Sequence, residues 1–183
     1  MVKTQKMSTQ TMVTGAVLTA LVVILQFISG YLTIGGGGVA LSLVLIPIVI
    51  GTATCGKKIG AWLGFVFALV VLADKGTFFF YGMNIPGTII IVLLKGVLCG
   101  YISGLVYEKS ISKFPKKQYF STLLAAIACP LTNTSVFLLG SLIFFRNWLV
   151  VAIIIVMINF VLELFANIIF APVIVRIVNA VKK

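Results

Sequence analysis

Apolar residues occur along the chain in six long runs, separated by short gaps that contain glycine, proline or charged residues. A helix needs about 20 mostly apolar residues to cross the hydrocarbon core of a bilayer. We therefore predict an all-α integral membrane protein, a single domain over residues 1–183 built as a six-transmembrane-helix bundle. The predicted spans are 11–29, 39–54, 59–73, 87–106, 119–145 and 150–175. The second and third are short, which is typical of tilted or partly spanning helices.

The composition supports a lipid environment for this bundle. Of the 183 residues, 61% are hydrophobic and 9% are charged, whereas a soluble domain is about half apolar and about a quarter charged. Lys3 and Lys6 before the first run are also typical of a signal peptide. Because residues 12–28 are long for such a signal and five more spans follow, we expect this run to be retained as the first helix.

The charged residues lie mainly in the gaps, and they indicate an orientation. The chain has 14 basic and 3 acidic residues, with a net charge of +11. If the N-terminus is cytoplasmic, eleven basic residues fall in inside segments, Lys75 and Arg146 fall outside, and Lys95 lies within a span. The positive-inside rule then predicts that both the N- and the C-terminus are cytoplasmic. Nucleic-acid binding is not expected, because it needs a solvated basic face.

Few residues could support catalysis or metal binding. The acidic residues Asp74, Glu108 and Glu163 are scattered, so they do not form a carboxylate pair or a metal cluster, and the chain has no histidine. Residues 51–58 nearly match a nucleotide-binding P-loop, but Lys58 stands where Ser or Thr must hold magnesium, and the segment joins two membrane helices. We predict no catalytic residue, no metal site and no cofactor in this chain.

Lys95 is the most unusual polar residue within the spans. It lies about two turns below the outer end of the fourth helix. An uncompensated lysine deep in a bilayer costs about 2.5–3.5 kcal/mol, so a partner must offset that free energy. The candidates are Glu163 on the sixth helix, which would make a structural pair, and an anionic ligand that enters from outside.

Further polar residues share one face of the sixth helix or follow a proline in the fifth. Asn159, Glu163 and Asn167 are spaced by four, so they line one helix face. Asn133 follows Pro130, which frees a backbone carbonyl and opens the helix locally. Such groups suit the recognition of a polar small molecule, and they suit hydrogen bonding between helices equally well.

Two outer gaps could cover a ligand site. The first contains four consecutive glycines at 35–38, and the second is an aromatic stretch at 78–84 that includes Tyr81 and ends at Asn84. The aromatic side chains could instead anchor helix ends at the membrane interface.

Small residues recur at four-residue spacing on three helices, which lets helices approach closely in lipid. For the glycines we expect packing inside the bundle. The positions are Ala16 and Ala20 on the first helix, Gly56, Gly60 and Gly64 at the third, and Gly96, Gly100 and Gly104 on the fourth.

Taken in order, these features resemble the substrate-binding S components of energy-coupling factor (ECF) transporters. The resemblance covers nearly the whole chain. It depends on the order of several matching segments along the chain rather than on any single motif. The matching segments are 16–20, 45–51, 60–67, 130–134, 137–140 and 159–164.

The resemblance implies a function and its partners. An S component captures a vitamin or a metal ion from outside and associates with a transmembrane coupling subunit and two cytoplasmic ATPases, which use ATP. Ala16 and Ala20 match the Ala-x-x-x-Ala pattern with which the family docks onto the coupling subunit. We therefore expect a multi-pass protein of a bacterial plasma membrane.

The substrate is expected to be a vitamin, with pantothenate as the best match. Metal-transporting members need histidine ligands, which are absent, and the segments around helices two, three and five look more like the group that includes pantothenate carriers. Lys95 could pair with the pantothenate carboxylate, while the hydroxyl and amide groups of pantothenate could form hydrogen bonds with further residues. These further candidate binding residues are Asn84, Asn133, Asn159, Glu163 and Tyr81.

Alternatives remain open at this point. Other substrates are riboflavin, folate and a pyrimidine or pyridoxine compound. Other functions are a solitary secondary transporter that uses Lys95 and Glu163 for proton coupling, and a small membrane scaffold without a ligand.

Overall fold

The computed structural model describes residues 9–31, 33–34, 39–40, 43–146 and 149–181. Within these ranges the chain is almost entirely helical, which confirms the predicted all-α membrane fold. The two short strands pair antiparallel, with Thr33 opposite Ala40. The elements are α1 (Thr9–Tyr31), β1 (Thr33–Ile34), β2 (Val39–Ala40), α2 (Leu45–Cys55), α3 (Lys57–Leu72), α4 (Lys75–Tyr81), α5 (Ile85–Lys113), α6 (Gln118–Phe144) and α7 (Leu149–Val181).

Among the described residues, four helices are long and apolar enough to cross a membrane, namely α1, α5, α6 and α7. Helices α3 and α4 pass the same test together and are bent by 76° at their junction, which is the geometry of a broken span or of a re-entrant loop. Helix α2 has 11 residues and covers about 16 Å, roughly half of the hydrocarbon core. The chain is therefore a multi-pass membrane protein whose second segment is short.

Several regions differ from the predicted boundaries. Helix α5 continues to Lys113, past the predicted end at 106, and α7 continues to Val181, past the predicted end at 175. The second predicted span, 39–54, begins with strand β2, and its helix starts only at Leu45. The gap between the third and fourth spans contains helix α4, because Asp74 caps it by accepting a hydrogen bond from the backbone N–H of Gly76 at 3.3 Å. The glycines at 35–38 and Trp148 lie outside the described residues.

Helix α2 forms the centre of the bundle. It contacts α1, α3, α5, α6 and α7, and Leu45, Ile48 and Val49 are fully buried. A helix that is apolar on all sides is stable only when neighbours surround it. The short α2 therefore provides a core against which the longer helices pack.

The glycines spaced by four on α3 and α5, which we call the glycine ridges, pack directly against each other. A Cβ atom added to Gly60 would lie 2.7 Å from the carbonyl oxygen of Gly100, and one added to Gly64 would overlap the carbonyl oxygen of Gly96. Real Cβ atoms do not approach backbone so closely, so only glycine permits this helix spacing. Packing of the ridges inside the bundle is confirmed.

The described basic residues of the gaps gather mostly at one end of the bundle, which we call the basic end. There Lys57 forms an ion pair with Glu108 at 2.9 Å, and Gln10 of α1 donates to the carbonyl of Val181 at 3.0 Å. Lys75 begins α4 near the opposite end of the bundle. The basic end thus joins the start of α1 to the end of α7.

Candidate functional site

Three predicted site residues come from three different helices and form what we call the central polar cluster: Lys95 of α5, Asn133 of α6 and Glu163 of α7. Asn133 donates its side-chain N–H to Glu163 Oε2 at 3.2 Å. Asn133 and Glu163 are each 6% exposed. Lys95 contacts the ring of Phe137, which follows Asn133 by one turn on α6. The cluster is therefore a polar site inside a largely apolar bundle.

The ammonium of Lys95 is held between aromatic rings. Its Nζ lies 5.1 Å from the ring centroid of Phe137 and 5.8 Å from that of Phe67. Both distances suit a cation–π contact. Within the described residues Lys95 Nζ has no carboxylate at ion-pair distance, and the ion pair found there joins Lys57 to Glu108. Lys95 and Glu163 therefore contact the same face of α6, through Phe137 and Asn133 respectively, and share no direct ion pair.

The face of α7 around Glu163 carries further amide groups. Asn167 is fully buried and donates to the backbone carbonyl of Glu163 at 2.9 Å. The side-chain oxygens of Asn133 and Asn167 are buried and accept no hydrogen bond from any described residue. Buried polar atoms normally find a partner in protein, water or a ligand. Two acceptors thus lie close to the acid of the cluster. Asn159, on the same face of α7, is partly buried.

Two other predicted site residues have local partners away from the cluster. Asn84 caps α5 by accepting a hydrogen bond from the backbone N–H of Gly87 at 2.9 Å. Tyr81 donates its hydroxyl to the carbonyl of Leu72 at 2.8 Å, across the bend between α3 and α4. The structure does not bring these two side chains to Lys95.

Helix α4 nevertheless reaches the cluster through a neighbouring side chain. Phe80 packs against Phe137 with ring centroids 5.3 Å apart, and Phe137 is the ring that contacts Lys95. Phe80 also contacts Phe145 at the end of α6, at 5.6 Å. The aromatic stretch predicted as a possible cover therefore packs over the cluster from the end where α4 lies.

One polar contact was not anticipated from the sequence. Gln26 of α1 is 5% exposed and donates to Asp74 Oδ2 at 3.3 Å, while the other carboxylate oxygen of Asp74 caps α4. This bond ties α1 to the bend between α3 and α4. The sequence did contain an indication of this contact, because a lone glutamine in an apolar run needs a polar partner when it is buried.

The sequence contains no comparable indication of the aromatic contacts of Lys95. Phe67 and Phe137 are two of 14 phenylalanines, and nothing in their spacing separates them from ordinary core residues.

Ala16 and Ala20 both lie on the exposed face of α1. Val17 between them is 62% exposed. Small side chains one turn apart leave a shallow groove into which another helix can fit. This placement supports an external contact, in contrast to the buried glycine ridges.

A family model described as "ECF transporter, substrate-specific component" matches residues 10–178. The chain belongs to this family. The match includes all the central polar cluster and the Ala16 face of α1. Neither a curated protein nor a solved structure gave a significant match to the chain.

Membership of the ECF family changes how the cluster is interpreted. The family is one of substrate-binding subunits of transporters rather than of enzymes. A buried polar cluster in such a subunit is a candidate for the site where the substrate binds.

Proposed function

We propose that this ECF substrate-binding subunit captures a small vitamin that carries a carboxylate, with pantothenate as the best candidate. The observation that carries the proposal is Lys95, whose ammonium contacts two aromatic rings but no carboxylate of the described residues. A ligand carboxylate would give it a charge-assisted hydrogen bond. That bond would also offset the cost of a cation inside the membrane.

The neighbouring groups suit the rest of such a ligand. Pantothenate has hydroxyl groups and an amide N–H beside its single carboxylate. The buried oxygens of Asn133 and Asn167 can accept hydrogen bonds from these donors. Glu163 is engaged by Asn133, so we assign it the role of orienting that amide. Riboflavin, folate and pyridoxine-like compounds remain the competing substrates.

The distribution of basic residues supports an orientation for capture from outside. We place the basic end, with Lys57, Lys109 and Lys117, in the cytoplasm of a bacterial cell, together with both termini. Helix α4 and the aromatic side chains above Lys95 then face the exterior. In this arrangement the six segments, with α2 as the short one, form the proposed six-helix bundle.

Delivery into the cell requires partners in this proposal. The exposed face of α1 with Ala16 and Ala20 would dock onto a transmembrane coupling subunit. Two cytoplasmic ATPases bound to that subunit would supply the energy from ATP.

The test begins with the purified protein. Mass spectrometry of the small molecules that copurify identifies the ligand, and binding of pantothenate is then measured directly. Reconstituted alone in liposomes, the chain should bind pantothenate without accumulating it against a gradient. Absence of binding to pantothenate and to the copurified fraction contradicts the proposal.

A second function is favoured by one observation, that two ionisable side chains inside the bundle, Lys95 and Glu163, both contact the same face of α6. Such groups can carry protons in secondary transporters. Concentrative uptake by the lone chain, driven by a proton gradient, would establish that function and exclude the first.

A further inference from the structure

The turn between α5 and α6 at the basic end contains a cleft of about 360 Å³. Phe114, Lys117, Tyr119 and Phe120 line it. The three aromatic residues are 37%, 50% and 42% exposed, respectively. Phe114 and Phe120 meet edge to face with ring centroids 6.1 Å apart, which gives the cleft a defined aromatic wall.

Two lysine ammonium groups lie beside this wall. Lys113 Nζ is 5.5 Å and Lys117 Nζ is 5.8 Å from the ring centroid of Phe114. Lys109 and Lys116 lie within the same short segment, and its acid, Glu108, is engaged by Lys57. Lys117 of the cleft wall and Lys113 beside it therefore give this part of the cleft a positive charge.

The backbone at the cleft also favours an anion. Helix α6 begins at Gln118, and no side chain caps its first turn. Uncapped backbone N–H groups at a helix start carry partial positive charge. Because Lys117 immediately precedes this turn, an anion in the cleft could contact both kinds of donor.

The position of the cleft identifies the source of that anion. Helix α5 has 29 residues, a length of about 43 Å, so it extends beyond a hydrocarbon core of about 30 Å. Its last turns and the start of α6 therefore lie at headgroup depth. Exposed aromatic rings beside lysines are well suited to this zone, where the apolar acyl chains meet the glycerol esters and the phosphate.

We propose that this cleft binds the headgroup of an anionic phospholipid. Lys113 and Lys117 contact the phosphate, and the rings of Phe114 and Phe120 contact the adjacent glycerol and upper acyl chain. The site is separate from the central polar cluster, and it does not depend on which vitamin the protein binds.

The test uses the full chain in mild detergent, titrated with phosphatidylglycerol or phosphatidylcholine, with bound lipid counted by native mass spectrometry. Phosphatidylglycerol should bind at least about tenfold more tightly. Substituting both lysines, K113Q with K117Q, should weaken phosphatidylglycerol binding by roughly twenty- to thirtyfold, at about fivefold for each lysine.

A matched control removes the same charge elsewhere at the basic end. K58Q with R176Q, both exposed positions, should change the affinity by less than about threefold. F114A keeps every lysine and removes the aromatic wall, so it should also weaken binding of phosphatidylglycerol. These variants distinguish specific binding of the lipid in the cleft from a general attraction between a basic surface and acidic lipid.

Four results would overturn the proposal. The first is equal affinity for the two lipids, and the second is an equal loss in both double variants. The third is displacement of the lipid by inorganic phosphate at the same concentration, which would show that the site takes a free anion. The fourth is loss of binding to the coupling module in K113Q with K117Q while lipid selectivity stays unchanged, which would assign the cleft to a protein partner.

Discussion

Asn133 of α6 donates its side-chain N–H to Glu163 Oε2 of α7 at 3.2 Å, and this bond holds the acid that the sequence offers as a partner for Lys95. Phe137 lies one turn after Asn133 on the same helix face, and its ring contacts the Lys95 ammonium. One face of α6 therefore contacts both charged groups. An anion could reach Lys95 without displacing Glu163 from its amide.

Because Asn133 holds the carboxylate of Glu163, substitution of Asn133 should change the affinity for an anionic ligand. In Asn133→Ala, Glu163 loses its hydrogen bond and becomes available to pair with Lys95, which should weaken binding of an anionic ligand. A hydrogen bond to a charged group contributes about 1.5–3 kcal/mol, so we expect a loss of roughly tenfold or more by titration calorimetry. Adding Glu163→Gln should recover part of that loss. No recovery would show that Asn133 acts on the ligand alone.

The contact between α3 and α5 predicts a strong effect from one methyl group. A Cβ at Gly100 would overlap the carbonyl oxygen of Gly60, so Gly100→Ala must push the helices apart. Overpacking of this kind costs about 1–3 kcal/mol, and thermal unfolding in detergent should show it as a lower melting temperature. Gly76→Ala is the control, since no atom lies within 4 Å of that Cβ. Equal melting temperatures for the two variants would contradict the packing described above.

Asp74 should hold helix α4 mainly as its N-cap. Asp74→Ala removes the cap, which contributes about 0.5–2 kcal/mol, and hydrogen exchange of the amides in α4 should quicken by about two- to thirtyfold. Gln26→Leu breaks the bond to α1 but leaves the cap, and it removes a buried side-chain oxygen that accepts no hydrogen bond from any described residue. Exchange in α4 should then change by less than about twofold. A similar increase in both variants would assign the stability of α4 to the link with α1.

The exposed alanines of α1 should matter for assembly and not for ligand binding. Ala16→Trp with Ala20→Trp fills the groove, so the affinity for the coupling subunit should fall by at least about tenfold in a copurification titration. Leu139→Trp serves as the control, because Leu139 of α6 is 62% exposed and lies away from the groove. Undiminished copurification of the double variant would show that the docking face lies elsewhere.

Much of the fold follows from the sequence, because apolar run length reports directly on membrane spans. The runs that became α1, α5, α6 and α7 are each long enough for this argument. The helix at Lys75–Tyr81 was not predictable in this way. Its formation depends on the Asp74 cap and on packing of Phe80 against Phe137, neither of which appears in run length.

The candidate site was predictable in part for a related reason. Polar residues within apolar runs are easily recognised. Asn133 and Glu163 share a hydrogen bond, and Lys95 contacts Phe137 on the same face of α6. Their partners depend on helix rotation and depth, which periodicity does not determine to within a hydrogen bond. The sequence therefore left Lys95 with two possible partners. Asn84 before Pro86 is a helix-start pattern, but it does not show whether the side chain caps the helix or contacts a ligand.

The pairing of Lys95 with a ligand carboxylate is the central claim, and one calorimetric comparison tests it most directly. Pantothenate and an uncharged amide analogue are titrated into the wild type, Lys95→Met, and Lys95→Met with Glu163→Gln. We predict that Lys95→Met weakens pantothenate binding by about 2–5 kcal/mol and that the double variant stays equally weak, because the ligand carboxylate still lacks its partner. The wild type should also bind the analogue no better than the variants do. Near-normal pantothenate affinity in the double variant would contradict the claim and leave Lys95 as a residue that only balances the charge of Glu163.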